Sequence, residues 1–240
     1  MEASKVYYTD FRCPVGTSLL DKLRRVCIAA GIRDIDMDGK FVAIKMHFGE
    51  LGNLAFLRPN YAKVVADLCK EQGGLPFLTD CNTLYPGSRK NALEHLSCAQ
   101  LNGFWPMTTG CQVIIGDGLR GTDEVEVPVP NGEYCKTAKI GRAIMDADVF
   151  ISLTHFKGHE STGFGGALKN IVEPVFLLPE MYHEKDKTLC STFTGRGAGL
   201  GFVHRLRRSR TTSVCHWQGI RRLVCRANQQ QAAGQTGTKS

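Results

Sequence analysis

Short apolar runs of strand character alternate along residues 1–171 with segments whose apolar residues recur at helical spacing. The strand-like runs lie at residues 5–10, 41–46, 75–80, 112–115, 125–129 and 148–154. The helix-like segments lie at residues 19–30, 61–69, 88–101 and 141–146. This alternation is typical of parallel sheets, because a helix usually returns the chain between two parallel strands. We therefore expect an α/β domain with a mainly parallel sheet and helices on both faces.

Local signals mark the boundaries of two of these helices. Ser18 and Asp21 have the spacing of a capping box, in which each side chain accepts a hydrogen bond from the backbone of the other. Gly73 and Gly74 follow the second helix-like segment and are typical of a helix end. The first two helices are therefore predicted with defined limits.

The densest group of chemically useful residues follows the strand-like run at 148–154. It consists of His155, Lys157, His159, Gly163, Gly165, Gly166, Lys169 and Asn170. In open α/β sheets, ligands bind where the carboxyl ends of parallel strands lead into turns of this kind. The segment therefore predicts a functional site.

His155 and His159 allow two interpretations. In a helix they would share one face, as metal-binding histidine pairs do, and either imidazole suits proton transfer near neutral pH. Gly158 favours a turn instead, in which both histidines are solvated loop residues. In an enzyme, a histidine would move the proton and Lys169 would stabilise the developing negative charge. His155, His159 and Lys169 are therefore the candidate catalytic residues.

The glycine cluster before Lys169 favours an anionic ligand. Gly163, Gly165 and Gly166 would let backbone N–H groups approach an anion that the lysine neutralises. The alternative is a flexible entry into a helix that carries a surface lysine. The spacing fits neither a P-loop nor a dinucleotide fingerprint. We assign Lys157 and Asn170 to the same ligand-binding site.

Polar residues also follow two other strand-like runs. Lys45, His47 and Glu50 end or follow the run at 41–46, and Asp80 ends the run at 75–80. If these strands neighbour the one at 148–154, their ends converge, and Lys45 and His47 join the ligand-binding set. The candidate metal ligands are then His155, His159, His47, Glu50 and Asp80.

Three residues also have plainer interpretations. Lys45 fits an edge strand from which the side chain reaches solvent. Asp117 lies between two glycines, as in many turns. His95 lies within a helix-like segment, and we interpret it as structural.

The charge distribution separates the end of the chain from the rest. Residues 172–240 carry 11 Lys and Arg against 4 Asp and Glu, which accounts for the whole net charge of +7. Residues 1–171 balance at 19 of each sign, so they show no signature of specific nucleic-acid binding. We expect an α/β domain at 1–171 and an irregular or disordered basic tail at 172–240.

Cysteine spacing and hydropathy restrict the cellular setting. None of the ten cysteines forms a C-x-x-C pair, which argues against a zinc ribbon or a redox dithiol. There is no apolar run of about 18 residues and no apolar signal region near Met1. We expect a cytoplasmic protein with reduced thiols and no membrane contact.

Four segments resemble the prokaryotic family known as "domain of unknown function 362". They are residues 45–50, 79–85, 146–159 and 162–171, and the resemblance covers about residues 5–171. It implies an association with iron–sulfur and redox chemistry, since members often carry a ferredoxin-like insert with C-x-x-C-x-x-C runs. A more distant likeness to nickel-dependent lactate racemase implies that His155 or His159 and Lys169 line a cofactor pocket.

The end of the chain departs from that pattern. Cys190, Cys215 and Cys225 are 25 and 10 residues apart, which is not the spacing of a ferredoxin cluster. The 4Fe–4S cluster implied by the resemblance therefore lacks its cysteine motif here. We expect that a frameshift or gene fragmentation truncated the domain and left residues 172–240 as a non-native tail.

Two functional hypotheses follow. The first is a metal- or anion-binding α/β protein of a redox-associated family, with its site at the strand ends and a small anion or divalent metal as ligand. The second is a non-catalytic binding module, or a ferredoxin-type electron carrier that has lost its cluster domain and would act with a redox partner.

Overall fold

The computed structural model describes residues 5–84, 86–129, 136–159, 163–167, 170–171, 176–177 and 202–203. Its strands are β1 (Phe41–Lys45), β2 (Leu75–Asp80), β3 (Gln112–Ile115), β4 (Glu124–Pro128), β5 (Thr137–Gly141), β6 (Val149–Ser152), β7 (Lys157–His159), β8 (Gly163–Gly165), β9 (Phe176–Leu177) and β10 (Phe202–Val203). Its α-helices are α1 (Leu19–Ala29), α2 (Pro59–Lys70), α3 (Ala92–Leu101), α4 (Pro106–Thr109) and α5 (Arg142–Met145), and a 3-10 helix spans Ile32–Asp34.

A central sheet with the strand order β10-β6-β1-β2-β3 organises the domain. The four strands β6, β1, β2 and β3 are parallel, and β10 pairs with β6 in the antiparallel direction. In register, Lys45 lies beside Thr79 on one side and Ser152 on the other. The carboxyl ends of the four parallel strands therefore share one border of the sheet, which we call the carboxyl edge.

One face of the central sheet is covered by α1, α2 and α3. Alternate strand residues such as Ile44, Leu78 and Ile151 pack in a core with residues of these helices, including Leu23 and Val65. Strand residues point alternately to the two faces, so this face takes every second apolar residue of each strand. Burial of this core supplies the main driving force for the α/β arrangement.

The other face packs against α5 and a small antiparallel sheet with the order β4-β5-β9. Ala43, Phe77 and Phe150 project to this side and meet Ile140 of β5 and Ile144 of α5. Both faces of the central strands are thus buried, which is why their sequences are continuous apolar runs. The prediction of a mainly parallel α/β sheet is confirmed.

Several local predictions can be compared with the structure. The capping box is present, since Ser18 Oγ accepts from the Asp21 N–H at 3.1 Å and Asp21 Oδ2 accepts from the Ser18 N–H at 2.9 Å. The strand expected at residues 5–10 is wrong, because these residues form no strand. Val6 and Tyr8 are more than two-thirds exposed, so packing against a neighbouring surface does not stabilise a strand there.

The end of the chain is described only in part. Apart from β9 and β10, residues 172–240 lie outside the described residues, so the domain boundary at 171 and the non-native tail stay predictions. No helix in the described ranges is both long and apolar enough to cross a membrane.

Candidate functional site

Lys45 occupies the centre of the carboxyl edge. It is the last residue of β1, which lies between β6 and β2, and its side chain is fully buried. Its Nζ lies 3.0 Å from Asp80 Oδ1 and donates a hydrogen bond to Asn170 Oδ1 at 2.9 Å. The interpretation of Lys45 as a solvent-reaching residue of an edge strand is therefore wrong.

Asp80 and Arg89 extend this contact into a buried ionic network. Arg89 Nη1 lies 3.4 Å from Asp80 Oδ2, and Arg89 Nε and Nη2 lie 2.6 Å from Glu50 Oε1. Ser88 Oγ donates to the second oxygen of Glu50 at 2.9 Å. Two positive and two negative side chains thus balance one another, which is the condition under which charges can be buried.

The environment of Asp80 keeps its carboxylate ionised. Burial by itself raises the pKa of Asp80, but the charge of Lys45, the neighbouring His95 and the charge of Arg89 outweigh burial. The pKa is held well below its usual range. Asp80 is therefore a fixed negative charge that keeps the two cations in place across the whole physiological pH range.

Asn170 joins the glycine-rich segment to the sheet. While its Oδ1 accepts from Lys45, its Nδ2 donates to Thr154 Oγ1 at 3.0 Å, and Thr154 Oγ1 lies 2.8 Å from Ser152 Oγ. Residues 167, 170 and 171 are helical, and the Asn170 N–H donates to the Gly166 carbonyl at 2.9 Å. Asn170 therefore ties the start of this helical segment to the ends of β1 and β6.

His47 lies in the loop that follows β1 and is held as a neutral imidazole. Its Nδ1 accepts a hydrogen bond from the Gly49 N–H at 2.8 Å, which leaves Nε2 as the protonated nitrogen. Burial above all, and then the charges of Arg89, Lys157 and Lys45, lower the pKa of His47 to about 3, against an opposing effect of Asp80. His47 therefore presents an N–H donor close to the positive charges of Arg89, Lys157 and Lys45.

Helix α3 fixes the shape of the His47 loop. Asn102 Nδ2 donates to the Phe48 carbonyl at 2.9 Å, and the Cys98 thiol contacts the Gly49 carbonyl at 3.6 Å. Gly49 has a φ of +84°, and a Cβ there would lie 2.8 Å from Asn102 Nδ2. Only glycine fits this turn without strain, so the position of His47 depends on packing against α3.

His155 and Lys157 approach the same edge from the end of β6. Burial and the nearby charge of Lys157 lower the pKa of His155, so this imidazole is also neutral at neutral pH. Lys157 begins β7 and is exposed, and its charge acts on both His47 and His155. One lysine therefore lies within electrostatic reach of two neutral histidines.

The hairpin of β7 and β8 decides between the two interpretations of the histidine pair. Lys157–His159 pairs with Gly163–Gly165 in the antiparallel direction. A helical pair of His155 and His159 is therefore wrong, and the turn that Gly158 suggested is a strand entering a hairpin. The side chain of His159 and all of Lys169 lie outside the described residues, so their predicted roles stay predictions.

A second polar contact joins the ends of β2 and β3. The Asp117 carboxylate accepts from the Asn82 N–H at 3.0 Å and from Asn82 Nδ2 at 2.9 Å. Asp117 lies in a turn, as its sequence predicted, but its side chain is buried. Burial raises the pKa of Asp117 to about 6, against the hydrogen bonds from Asn82 that favour the charged form.

The predicted site residues converge in part. Lys45 contacts both Asp80 and Asn170, Glu50 is connected to Asp80 through Arg89, and His47 lies at the same edge. Within the described ranges, no group of three or more His, Cys, Asp or Glu side chains is arranged to hold a metal ion. The predicted metal set includes His159, whose side chain is not described, and therefore stays a prediction.

Two participants were missed by the sequence analysis. Arg89 lies in the loop before α3 and has no strand pattern around it. His95 lies on α3, where it shares the buried stripe of Cys98 and Ala99. A polar side chain at an apolar position of a helix was the one available signal for His95.

Two of the described cysteines, Cys27 and Cys69, lie in the apolar core. Burial raises the pKa of Cys27 to about 11, and burial with the nearby Cys111 and Cys27 raises that of Cys69 to about 12. Their surroundings therefore disfavour the thiolate form in which cysteine ligates a cluster. Cys190, Cys215 and Cys225 lie outside the described residues.

Comparison with known families identifies the family of this chain. Residues 42–196 match the family model described as "Domain of unknown function (DUF362)". The chain belongs to this family. The DUF362 match confirms the resemblance seen in the sequence, and it includes β1, β2, β6 and every candidate site residue. It also continues past residue 171, into the region predicted as a tail.

Two further comparisons add little to the DUF362 assignment. A search of curated proteins finds no match. Among solved structures, the lactate racemase apoprotein from Thermoanaerobacterium thermosaccharolyticum is similar at 16% sequence identity and a TM-score of 0.38. The match covers 68% of this chain and 34% of that one, so the chain spans about a third of that protein. A likeness at this level carries no argument about fold or activity.

Proposed function

We propose that this DUF362 domain binds a small anion, a carboxylate or a phosphate, at the carboxyl edge of its parallel sheet. The observation that carries the proposal is the charge pattern around His47. There, burial first and then the charges of Arg89, Lys157 and Lys45 keep the imidazole neutral. The three positive charges that disfavour a proton on His47 also favour a negative charge beside it.

The roles of the site residues follow from their burial. Lys157 is exposed and would contact the anion directly, while the neutral imidazoles of His47 and His155 would donate N–H groups to it. Lys45 is fully buried and engaged with Asp80 and Asn170, so it would contribute charge from beneath the site. The anion site would be completed, as the sequence predicted, by Lys169 and by backbone N–H groups of Gly163, Gly165 and Gly166.

The same charges disfavour a divalent metal. The two carboxylates of the predicted metal set are ion-paired, Asp80 with Lys45 and Glu50 with Arg89. A cation would have to displace these partners, at a large electrostatic cost in a buried region. We expect that elemental analysis of protein purified without a metal-binding tag finds no stoichiometric transition metal. A stoichiometric metal that is lost on replacing His155 and His47 would contradict the proposal.

The cytoplasmic location is part of the proposal. It is supported by six free cysteines in the described ranges, Cys13, Cys27, Cys69, Cys81, Cys98 and Cys111. Reduced thiols are typical of cytoplasmic proteins. A redox partner stays a proposal that depends on an iron–sulfur unit, and the described residues offer no support for it.

Thermal unfolding with inorganic phosphate tests the anion site. A ligand at ten times its Kd stabilises by about 1.4 kcal/mol, which raises the Tm of a domain of this size by about 4 °C. We expect this shift for the wild type against sodium chloride of equal ionic strength. Lys157→Gln should lose most of the shift.

Lys63→Gln is the matched control, because Lys63 is an exposed lysine of α2 that pairs with Asp67 at 2.9 Å. It should respond to phosphate like the wild type. Equal phosphate shifts in the Lys157→Gln and Lys63→Gln proteins would show that the effect is a general one of the salt, and the proposed site would be rejected.

A further inference from the structure

His95 is an unusual buried side chain that the anion site does not yet use. Its relative exposure is 0%, and in the described part of the chain neither ring nitrogen has a hydrogen-bond partner. Leaving a buried polar group without a partner is destabilising. Such a group calls for an explanation, since buried polar atoms in native proteins are almost always paired.

The surroundings of His95 show where its partner lies. His95 Nε2 lies 3.7 Å from Asp80 Oδ2, too far for a hydrogen bond and too close for a water molecule to fit between them. The two oxygens of Asp80 differ in their contacts. Oδ1 has Lys45 and the Cys81 N–H, both at 3.0 Å, whereas Oδ2 has Arg89 at 3.4 Å. The oxygen nearest His95 is thus the loosely held one.

The ring of His95 packs edge-on against the ring of Phe48, with ring centroids 5.7 Å apart and planes at 70°. Phe48 follows His47 in the same loop. A shift of less than 1 Å between His95 and Asp80 would form the missing hydrogen bond, and the contact with Phe48 would transmit it to the loop that carries His47.

We propose that His95 is a positioning residue, whose Nε2–H donates to Asp80 Oδ2 when an anion occupies the carboxyl edge. This inference rests on the proposed function. An anion near Lys45 competes with Asp80 for the positive charge of Lys45. The negative charge of the anion also repels the Asp80 carboxylate. A hydrogen-bond donor that moves towards Oδ2 offsets this repulsion, so that the Asp80 carboxylate stays ionised and in contact with Lys45.

The test measures the Kd for inorganic phosphate and the Tm of the same variants. His95→Phe keeps an aromatic ring against Phe48 and removes both unpaired nitrogens. We expect its Tm to be equal to or above that of the wild type, while its Kd for phosphate rises about tenfold, the value of one hydrogen bond to a charged group. His95→Gln offers an N–H at a similar reach and should restore most of the affinity. If the phenylalanine variant does not fold, His95→Asn, which is too short to reach Asp80, provides the same comparison with glutamine.

Leu96→Ala is the control for damage to α3, because Leu96 packs against the core beside His95. It should lower the Tm and leave the Kd unchanged. Phosphate binding by His95→Phe as tight as that of the wild type would overturn the role of His95 alone. The absence of any phosphate-specific binding by the wild type would overturn the anion site itself, and this inference with it.

Discussion

Replacing Lys45 by methionine removes the positive charge that lies 3.0 Å from the buried carboxylate of Asp80. Methionine has a similar length and no charge, so little cavity forms and the electrostatic effect dominates. Loss of one partner of a buried ion pair costs about 3–5 kcal/mol. Arg89 remains 3.4 Å from Asp80 as a second cation, so we expect a value of about 3 kcal/mol.

Urea unfolding followed by tryptophan fluorescence measures this loss. With an m-value of about 2 kcal/mol/M, the midpoint of Lys45→Met should fall by about 1.5 M urea. Lys63→Met removes an exposed lysine from its pair with Asp67, and such pairs contribute about 0.3–0.5 kcal/mol. The control should therefore unfold close to the wild type.

The loss of stability in Lys45→Met should depend on pH, and this dependence identifies Asp80 as its cause. In the wild type the pKa of Asp80 is held below its ordinary value. Its stabilising contribution is therefore complete above pH 4 and is lost only as the pH falls further. Without Lys45, the buried carboxyl group loses one of the charges that lower its pKa, so it takes up a proton more readily as the pH falls and the penalty shrinks. The difference in unfolding free energy should be larger at pH 7 than at pH 5. An equal difference at both pH values, or no difference at all, would show that the Asp80 carboxylate is not the cause of the instability.

Three further predictions concern a turn, a titrating carboxyl group and the thiols. Gly49→Ala should destabilise the protein by about 2–3 kcal/mol, because of its left-handed backbone and the side-chain atoms 2.8 Å from the new methyl group. Gly39→Ala, with a φ of +65° and open space around it, should cost only about 1 kcal/mol in the same urea experiment. Since the pKa of Asp117 is raised to about 6, the stability that its protonated form contributes is lost as the pH rises from 4 through 6. Asp117→Asn should flatten this part of the profile, and an unchanged slope would contradict the assignment. The exposed Cys13 should react with a thiol reagent in the folded protein well before Cys69, whose pKa burial raises to about 12; equal rates would show that the core is open.

The sheet and its carboxyl edge could be predicted because their signals are local. Runs such as 41–46 and 75–80 are buried on both faces, so the strands stand out as continuous apolar segments. Helical stripes between them require crossovers, and crossovers make the strands parallel. Parallel strands end at one border, which places Lys45 and Asp80 at the same edge; their contact also depends on β1 and β2 being neighbours.

The rest of the site depends on the path of the chain between strands. Whether Lys45 was an edge residue or a buried one followed from the strand order, which no local pattern specifies. Arg89 and His95 reach Asp80 because the loop after β2 and helix α3 fold back over the strand ends. Residues 5–10 show the opposite case. Their composition favours a strand, but they pair with no other strand in the described part of the chain and are largely exposed.

The anion site at the carboxyl edge can be tested by nuclear magnetic resonance of the imidazole nitrogens in histidine-labelled protein, titrated with inorganic phosphate at constant ionic strength. We expect His47 and His155 to be neutral at pH 7 before the titration. Their signals should then shift together and saturate at one Kd, and Lys157→Gln should weaken that Kd. Histidine signals that do not move with phosphate, or that move equally with chloride, would contradict an anion site at the carboxyl edge.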